Sequence, residues 1–526
     1  MKNVYTPAEI ERILEATLGP STPPADAGEL RVWSRRRADF ISLVGRQAAA
    51  EVLAMRGDTD SPVLVFAGDD ICGAYALATA IELHQFGCRA RVCLFNIGGD
   101  MLSIDTRLRR DELRAQGYGD WLDEVVNPGP NFMMPEMGPS TIVVDGLFGT
   151  DYQKPLRGGY QAVARHINEA APRVISIDIP SGMTLDLSVG MINRNIIHAD
   201  LTLAIVGPTL AFFMPENAQL IGRWKTLKLP LDKSVVKRPS CRIVDSKAIR
   251  TALPVRDPMA DKNELGSALI FAGSYGMLGA AVLATRAASR SGCGRVTCHG
   301  PRCAFYVMQT SVPSAMFETD GADFDIQRFE SQHDADATAI GPGLGRSDAT
   351  IYGLERLLKS SYAASRPLIL DADALNCIAL RQTLLDFIPP RSILTPHARE
   401  FDRLFGTQNS HSTRVMKAVE MAARYKIIIV LKGHHTLTIW PNGEILVNSS
   451  GTEALATAGS GDVLTGLATG LAAQNMAPEI AAVAAVYIHG IAGKIASRRY
   501  GVRGTTAEDI ADAIGQAIES ITNPQS

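Results

Sequence analysis

The stretch Leu455–Gln474 reads LATAGSGDVLTGLATGLAAQ, and its one charged residue is Asp462. A run of small residues, Gly459-Ser460-Gly461, leads through the carboxylate into an apolar segment with the composition of a buried helix. Glycine lets a backbone come close to a ligand. The first N–H groups of a helix have no internal partner, so they form an anion site that the helix dipole reinforces. An aspartate in that place could be no more than an N-cap. Capping does not require three small residues in front of it, whereas a phosphate held by backbone donors does. The expectation is an anion hole at Gly459, Ser460 and Gly461, with Asp462 beside it as the base that accepts a hydroxyl proton during phosphoryl transfer.

Outward from this loop, short β-branched runs alternate with alanine-rich helical stretches. That pattern belongs to α/β units around a mostly parallel sheet. In the first half the strand candidates are PVLVFAG, ARVCLFN, TIVVDG, RVISIDIP and LTLAIVG; in the second they are SALIFAGS, RVTCHG, ATAIGPG, PLILDAD, SILTPH and IIIVLKG. The second set runs out into Gly273-Ser274, Gly341-Pro342-Gly343, Asp371-Ala372-Asp373, Thr395-Pro396-His397 and Lys432-Gly433. Open α/β sheets bind ligands outside the carboxyl ends of their strands, so these endings predict one shared cleft. The seam carrying Pro230, Pro239, Pro254 and Pro258 reads as a junction. The predicted organisation is a domain over 1–235, a linker over 236–261 and a second domain over 262–526.

With 526 residues the chain is long enough for two or three domains. A net charge of −3 points to neither nucleic acid nor an acidic membrane surface as partner. The longest apolar run, LTLAIVGPTLAFFM, breaks at Gly207-Pro208 and is short of the ~18 residues of a membrane span. The first residues carry three glutamates and resemble neither a secretory signal nor a transit peptide. Eight cysteines without a CxxC pair predict reduced thiols and a cytoplasmic protein. Cys293, Cys298 and Cys303, with His299, match no common zinc spacing and read as structural thiols.

The segments GSYGMLGAAVLATRAASRSGCG, IGPGLG, DADALN, LTPHAREF, VLKGHHTLT and AGSGDVLTG resemble, in this order, the ADP- or ATP-dependent NAD(P)H-hydrate dehydratases of the ribokinase-like superfamily. The resemblance runs from about Lys262 to Ala517. It implies that Asp462 activates the nicotinamide-ring hydroxyl of the hydrate, that the Gly459–Gly461 backbone holds the transferring phosphoryl group, and that loss of phosphate restores the double bond. It further implies that Ala280, Gly343 and His397 line the hydrate site. Lys432, Gly433, His434, His435, Thr436 and Gly461 would contact ADP or ATP with Mg²⁺. Asp371 and Asp373 close a strand either as neighbours of water or Mg²⁺ or as turn acids, and His489 reads as a core histidine. Ala398 and Arg399 interrupt the family's glycine pair after TPH, and Ser314 stands where an acid is usual.

In the first half VVDGLFGT, SIDIPSGM and HADLTLAIVGPT resemble the NAD(P)H-hydrate epimerase domain often fused to that enzyme. The resemblance implies a Rossmann-like three-layer αβα domain followed by a ribokinase-like αβα domain. Together they would form a bifunctional repair enzyme for hydrated NADH and NADPH. Asp178 matches the proposed acid/base; Asp145 and Ser181, with Asp69, match the K⁺ ligands. The family's asparagine- and glycine-rich loop after the first long strand is replaced by Asp69-Asp70-Ile71-Cys72-Gly73-Ala74. Asp151 adds a third acid, and Thr209 stands where a lysine is frequent. Carboxylates facing an anionic cofactor oppose its binding, so this half reads as an epimerase-like domain that is either a scaffold or a weakened enzyme. Two other readings stand beside this one: a ribokinase-superfamily kinase of a vitamin precursor, and a first half that senses nicotinamide nucleotides without turnover. A homo-oligomer is left open.

Overall fold

The computed structural model describes residues 1–526 apart from 127–132, 153, 186, 188–194, 365 and 524–526. The chain forms two units, one over Asn3–Pro239 and one made of Met1–Lys2 with Ser240–Ser526.

In the first unit seven parallel strands stand in the order Leu122–Val125, Ala90–Phe95, Val63–Ala67, Ile142–Gly146, Arg173–Ile177, Leu201–Ala204 and Arg223–Thr226. Successive residues of Val63–Ala67 point to opposite faces, and both faces are buried. Val63, Val65 and Ala67 pack with the helices Ala27–Arg56 and Ile71–Gln85. Leu64 and Phe66 pack with the helix Gly158–Ala170. A sheet covered on both sides needs this near-continuous apolar run instead of strict alternation. The order turns back between Val63–Ala67 and Ile142–Gly146, so the loops after these two strands flank the switch point where such sheets bind ligands.

The second unit's sheet runs from Met316–Thr319 through Arg295–Gly300, Ser267–Phe271, Ala337–Ile340, Leu368–Leu370, Ile393–Leu394 and Ile428–Leu431, all parallel. An antiparallel hairpin, Leu437–Ile439 with Ile445–Val447, continues it, and Cys241–Ile243 pairs in parallel with the hairpin's second strand. The stretch read as a linker therefore contains a sheet strand and the helix Ser246–Ala252. Its prolines flank these elements, which is why composition alone suggested a seam. The reversal in strand order falls between Ser267–Phe271 and Ala337–Ile340.

The helix that follows the anion loop, Ser460–Ala473, lies against Leu278–Arg290 with glycine at the contacts. A Cβ at Gly466 would sit 1.9 Å from the Ala284 carbonyl oxygen, and one at Gly470 would sit 2.1 Å from Ser291 Oγ. No side chain fits at either position. Among the described residues one helix, Pro478–Tyr500, is long and apolar enough to cross a membrane, and 67% of its apolar window is buried in the protein. All eight cysteines are free thiols.

Candidate functional site

Gly459 has φ +85° and stands at the N-cap of the helix Ser460–Ala473 without a side-chain cap. Asp462 therefore lies inside the first turn and caps nothing. Burial, with the Asp371 carboxylate beside it, pushes its carboxyl up to about 7 against the pull of Lys432. The tension between a helix dipole that favours ionisation and a dry site that opposes it resolves in favour of the dry site. The result is a carboxylate able to take a proton near neutral pH.

The pair that governs this balance lies beneath it. Lys432 Nζ donates to Asp371 Oδ1 at 2.9 Å, and Thr465 Oγ1 donates to Asp371 Oδ2 at 2.6 Å. Burial disfavours the ionised Asp371, but Lys432 and the Thr465 hydroxyl overcome it and hold the carboxyl below its ordinary value. Burial likewise opposes the Lys432 charge, and Asp371 and Glu400 keep it protonated. A Cβ on Gly461 would lie 3.4 Å from Lys432 Nζ, so the ammonium sits directly under the anion loop. Of the five positions from Lys432 to Thr436, only the lysine turns inward to this pair. Thr436 Oγ1 donates to the Gly433 carbonyl at 3.1 Å to close the turn, and the His434 and His435 rings meet edge to face at 4.6 Å.

His397 begins the helix Ala398–Phe405, its Nδ1 accepting the N–H groups of Arg399 and Glu400 at 3.1 and 3.3 Å. Glu400 returns the bond to the His397 N–H at 2.9 Å, and the His397 backbone bridges to Lys432. Desolvation of its half-buried ring outweighs Glu400 and lowers the His397 pKa. With Nδ1 used for capping, its Nε2 edge remains for a ligand, although Glu400 lies 3.5 Å away. Gly343, at φ +59°, packs so closely that a Cβ would approach Ala280 Cβ to 3.0 Å. Asp373 receives the Gly345 N–H at 3.0 Å, which ties this pair to the strand end at Asp371. Sequence reasoning did not find Thr465, the Lys432–Asp371 pair or the partner of Ser460. That partner is His489, whose Nε2 lies 3.2 Å from Ser460 Oγ; burial drives its pKa down to about 4 and keeps the ring neutral. It is the core histidine expected, but one that orients the anion loop.

Among the described residues no three His, Cys, Asp or Glu side chains converge as a metal site. Mg²⁺ characteristically rides on substrate phosphates with one or two carboxylates. Asp373, in the first turn of the helix Ala372–Leu380, is the carboxylate for that smaller demand, with Asn376 Nδ2 donating to it at 3.1 Å and Arg346 3.8 Å away.

In the first unit, Asp70 caps the helix Ile71–Gln85, Oδ1 accepting the N–H groups of Cys72 and Gly73 at 2.8 and 3.3 Å. A phosphate bound there would need those same donors. Burial and Asp151 raise the Asp70 carboxyl well above its usual range, despite these two bonds. Asp178, at φ +72°, accepts the Thr150 N–H at 2.8 Å, and burial lifts it to about 6. Asp145 and Ser181 are adjacent, but Asp145 receives Ser181 Oγ, Ser181 N–H, Ser176 Oγ and Leu147 N–H at 2.6, 2.9, 2.8 and 3.4 Å. A carboxylate has about four acceptor positions. With four donors on it, Asp145 does not fit the role of a K⁺ ligand in this arrangement. Asp69 lies on the neighbouring loop, its carbonyl bound to the Ser103 N–H at 2.7 Å.

Residues 268–516 match the NAD(P)H-hydrate dehydratase family, and residues 38–211 match the YjeF-related protein N-terminus. The bifunctional NAD(P)H-hydrate repair enzyme of Moorella thermoacetica is 33% identical over 395 residues, 72% of this chain and 73% of that protein. The protein of the same name from Salinibacter ruber is 32% identical over 497 residues, covering 90% and 91%. Among solved structures, the ADP/ATP-dependent NAD(P)H-hydrate dehydratase of Bacillus subtilis matches at 30% identity and a TM-score of 0.46. That match covers 53% of this chain and 97% of that one.

Proposed function

The chain belongs to the family of bifunctional NAD(P)H-hydrate repair enzymes, and on that premise we propose how its two halves divide the work. The second unit dehydrates hydrated NADH or NADPH, with ADP or ATP as phosphoryl donor. The observation that carries this reading is Asp462, a carboxyl poised at about 7 one residue after Gly461. Asp462 Oδ takes the proton of the ring hydroxyl as that oxygen attacks the terminal phosphorus of the nucleotide, whose bridging P–O bond breaks to release AMP from ADP or ADP from ATP. The N–H groups of Gly459 and Gly461 donate to the phosphoryl oxygens, the Ser460 N–H being turned to the Thr457 carbonyl at 3.3 Å, and Lys432 beneath the loop offsets their charge. Cleavage of the C–O bond then expels inorganic phosphate, and loss of a proton from the adjacent ring carbon restores the double bond of the reduced nicotinamide. His397 and the tight Gly343–Ala280 contact bound the side on which the hydrate sits. Mg²⁺, carried on the nucleotide phosphates with Asp373 nearby, would supply charge neutralisation.

We read the first unit as an epimerase-like domain of weakened activity. Asp178 retains the ionisation an acid/base needs, but Asp70 occupies the helix N–H groups that a pyrophosphate would use.

The test is to supply S hydrate with ADP or ATP and follow both the reduced-nicotinamide absorbance and phosphate release. The two should rise together in equal amounts. A stable phosphorylated product without phosphate release would instead identify a kinase.

A further inference from the structure

The first unit holds a cavity of 930 Å³ between the helix Pro7–Leu18 and the loops after Val63–Ala67 and Ile142–Gly146. Six carboxylates line it: Glu11, Glu15, Asp70, Asp105, Asp151 and Asp178. Among the described residues the one basic side chain on its wall is Arg37. That guanidinium is already committed, its Nε and Nη2 donating to Asp105 at 2.9 and 2.6 Å. Among the described residues no cation stands opposite the other five carboxylates. A second observation is independent of these charges. Tyr75 lines the same cavity at 3% exposure, and its hydroxyl finds no hydrogen-bond partner among the described residues. A buried hydroxyl left unpaired is unfavourable and points to a ligand that completes it.

The acids are graded in depth. Glu11, Glu15 and Asp151 are exposed, Asp70 is half-buried, and Asp178 is buried close to Tyr75. Between these levels the wall is apolar, from Ile10, Leu14 and Trp33. Alternating anionic and apolar surface along one cavity matches a chain of ammonium groups separated by methylenes. It opposes a nucleotide, whose phosphates would meet carboxylates at every level. We propose that this cavity is a binding site for a linear aliphatic polyammonium compound, with one ammonium among Asp70, Asp151 and Asp178, and another between Glu11 and Glu15.

The experiment uses the full chain, with spermidine as the probe, in calorimetric titration at physiological salt. One saturable site is expected, weakened at least tenfold by Asp151→Asn and measurably by Tyr75→Phe, with both variants melting close to the parent. Asp70→Asn, which keeps an N-cap, should weaken binding in the same direction. No saturable binding would overturn the proposal, as would equal binding by all three variants. Displacement of spermidine by stoichiometric K⁺ or Mg²⁺ would overturn it in favour of a simple ion site. Displacement by NADPH in the Asp462→Asn background would overturn it in favour of a retained nucleotide site.

Discussion

Replacing Asp462 by asparagine should abolish dehydration while making the protein more stable, and the two effects should part company with pH. The folded protein holds the Asp462 carboxyl at about 7, against 3.8 for a free aspartate. That difference corresponds to at most about 4 kcal/mol of unfavourable interaction with the ionised form. An acid whose folded pKa is raised binds its proton more tightly when folded. Its contribution to stability therefore falls as pH climbs from about 4 to about 7, and stays low above. Asparagine does not titrate and causes no such fall. Urea unfolding at pH 8 should find the variant more stable than the parent by about 1–4 kcal/mol, with the gap closing toward pH 4. Turnover at pH 8, where the parent base is ionised, should drop by ~10²–10⁴. The parent's own rate should fall as pH descends through about 7. A variant within tenfold of parental turnover, or one less stable at pH 8, would refute both the base assignment and the origin of its pKa.

Lys432→Met leaves Asp371 buried without its cation, so unfolding should cost ~3–5 kcal/mol less. It should also move the acid limb of any residual pH–rate profile above that of the parent, because a charge favouring ionised Asp462 is gone. Gly461→Ala places a methyl 3.4 Å from Lys432 Nζ in the path of the phosphoryl group. Turnover should fall by ~10²–10³ with unfolding free energy unchanged within about 0.5 kcal/mol; an unaltered rate would mean that the phosphate lies elsewhere. Pure R hydrate given to the full chain without nucleotide should convert to S barely above the spontaneous background. Each donor that Asp70 occupies would deprive a pyrophosphate of a charged hydrogen bond of ~1.5–3 kcal/mol, and rapid interconversion would contradict that account.

The parallel strands that carry the two switch points were legible because buried β-branched runs ending in glycine, proline or acid leave a local signature. The short outlying strands were not. Cys241–Ile243 and Met316–Thr319 are three and four residues long, and their pairing is decided by neighbours distant in the chain. The anion loop could be read from Gly459 to Asp462, since the chemistry and the spacing lie in adjacent positions. What sets its electrostatics could not. Lys432 meets Asp371 across 61 residues, and Thr465 reaches it across 94; only the folded sheet brings those ends together. Asp70 falls between these cases. An aspartate before an alanine-rich helix is a local N-cap signal, yet only the structure shows that its own carboxylate uses up the donors.

The glycine contacts of the helix Ser460–Ala473 make its rate-determining end answerable to its far end. With a neighbouring carbonyl oxygen 1.9 Å from where a Cβ would begin at Gly466, the rod cannot slide or roll without collision. Its position along the axis is therefore set at Gly466 and Gly470, roughly 7 and 13 Å of helix rise beyond Gly461. A rigid rod passes any axial shift undiminished to the donors at its tip, where an error of about 1 Å costs on the order of a hundredfold in rate. Glycines that never approach substrate thereby act as the alignment stops of the catalytic loop.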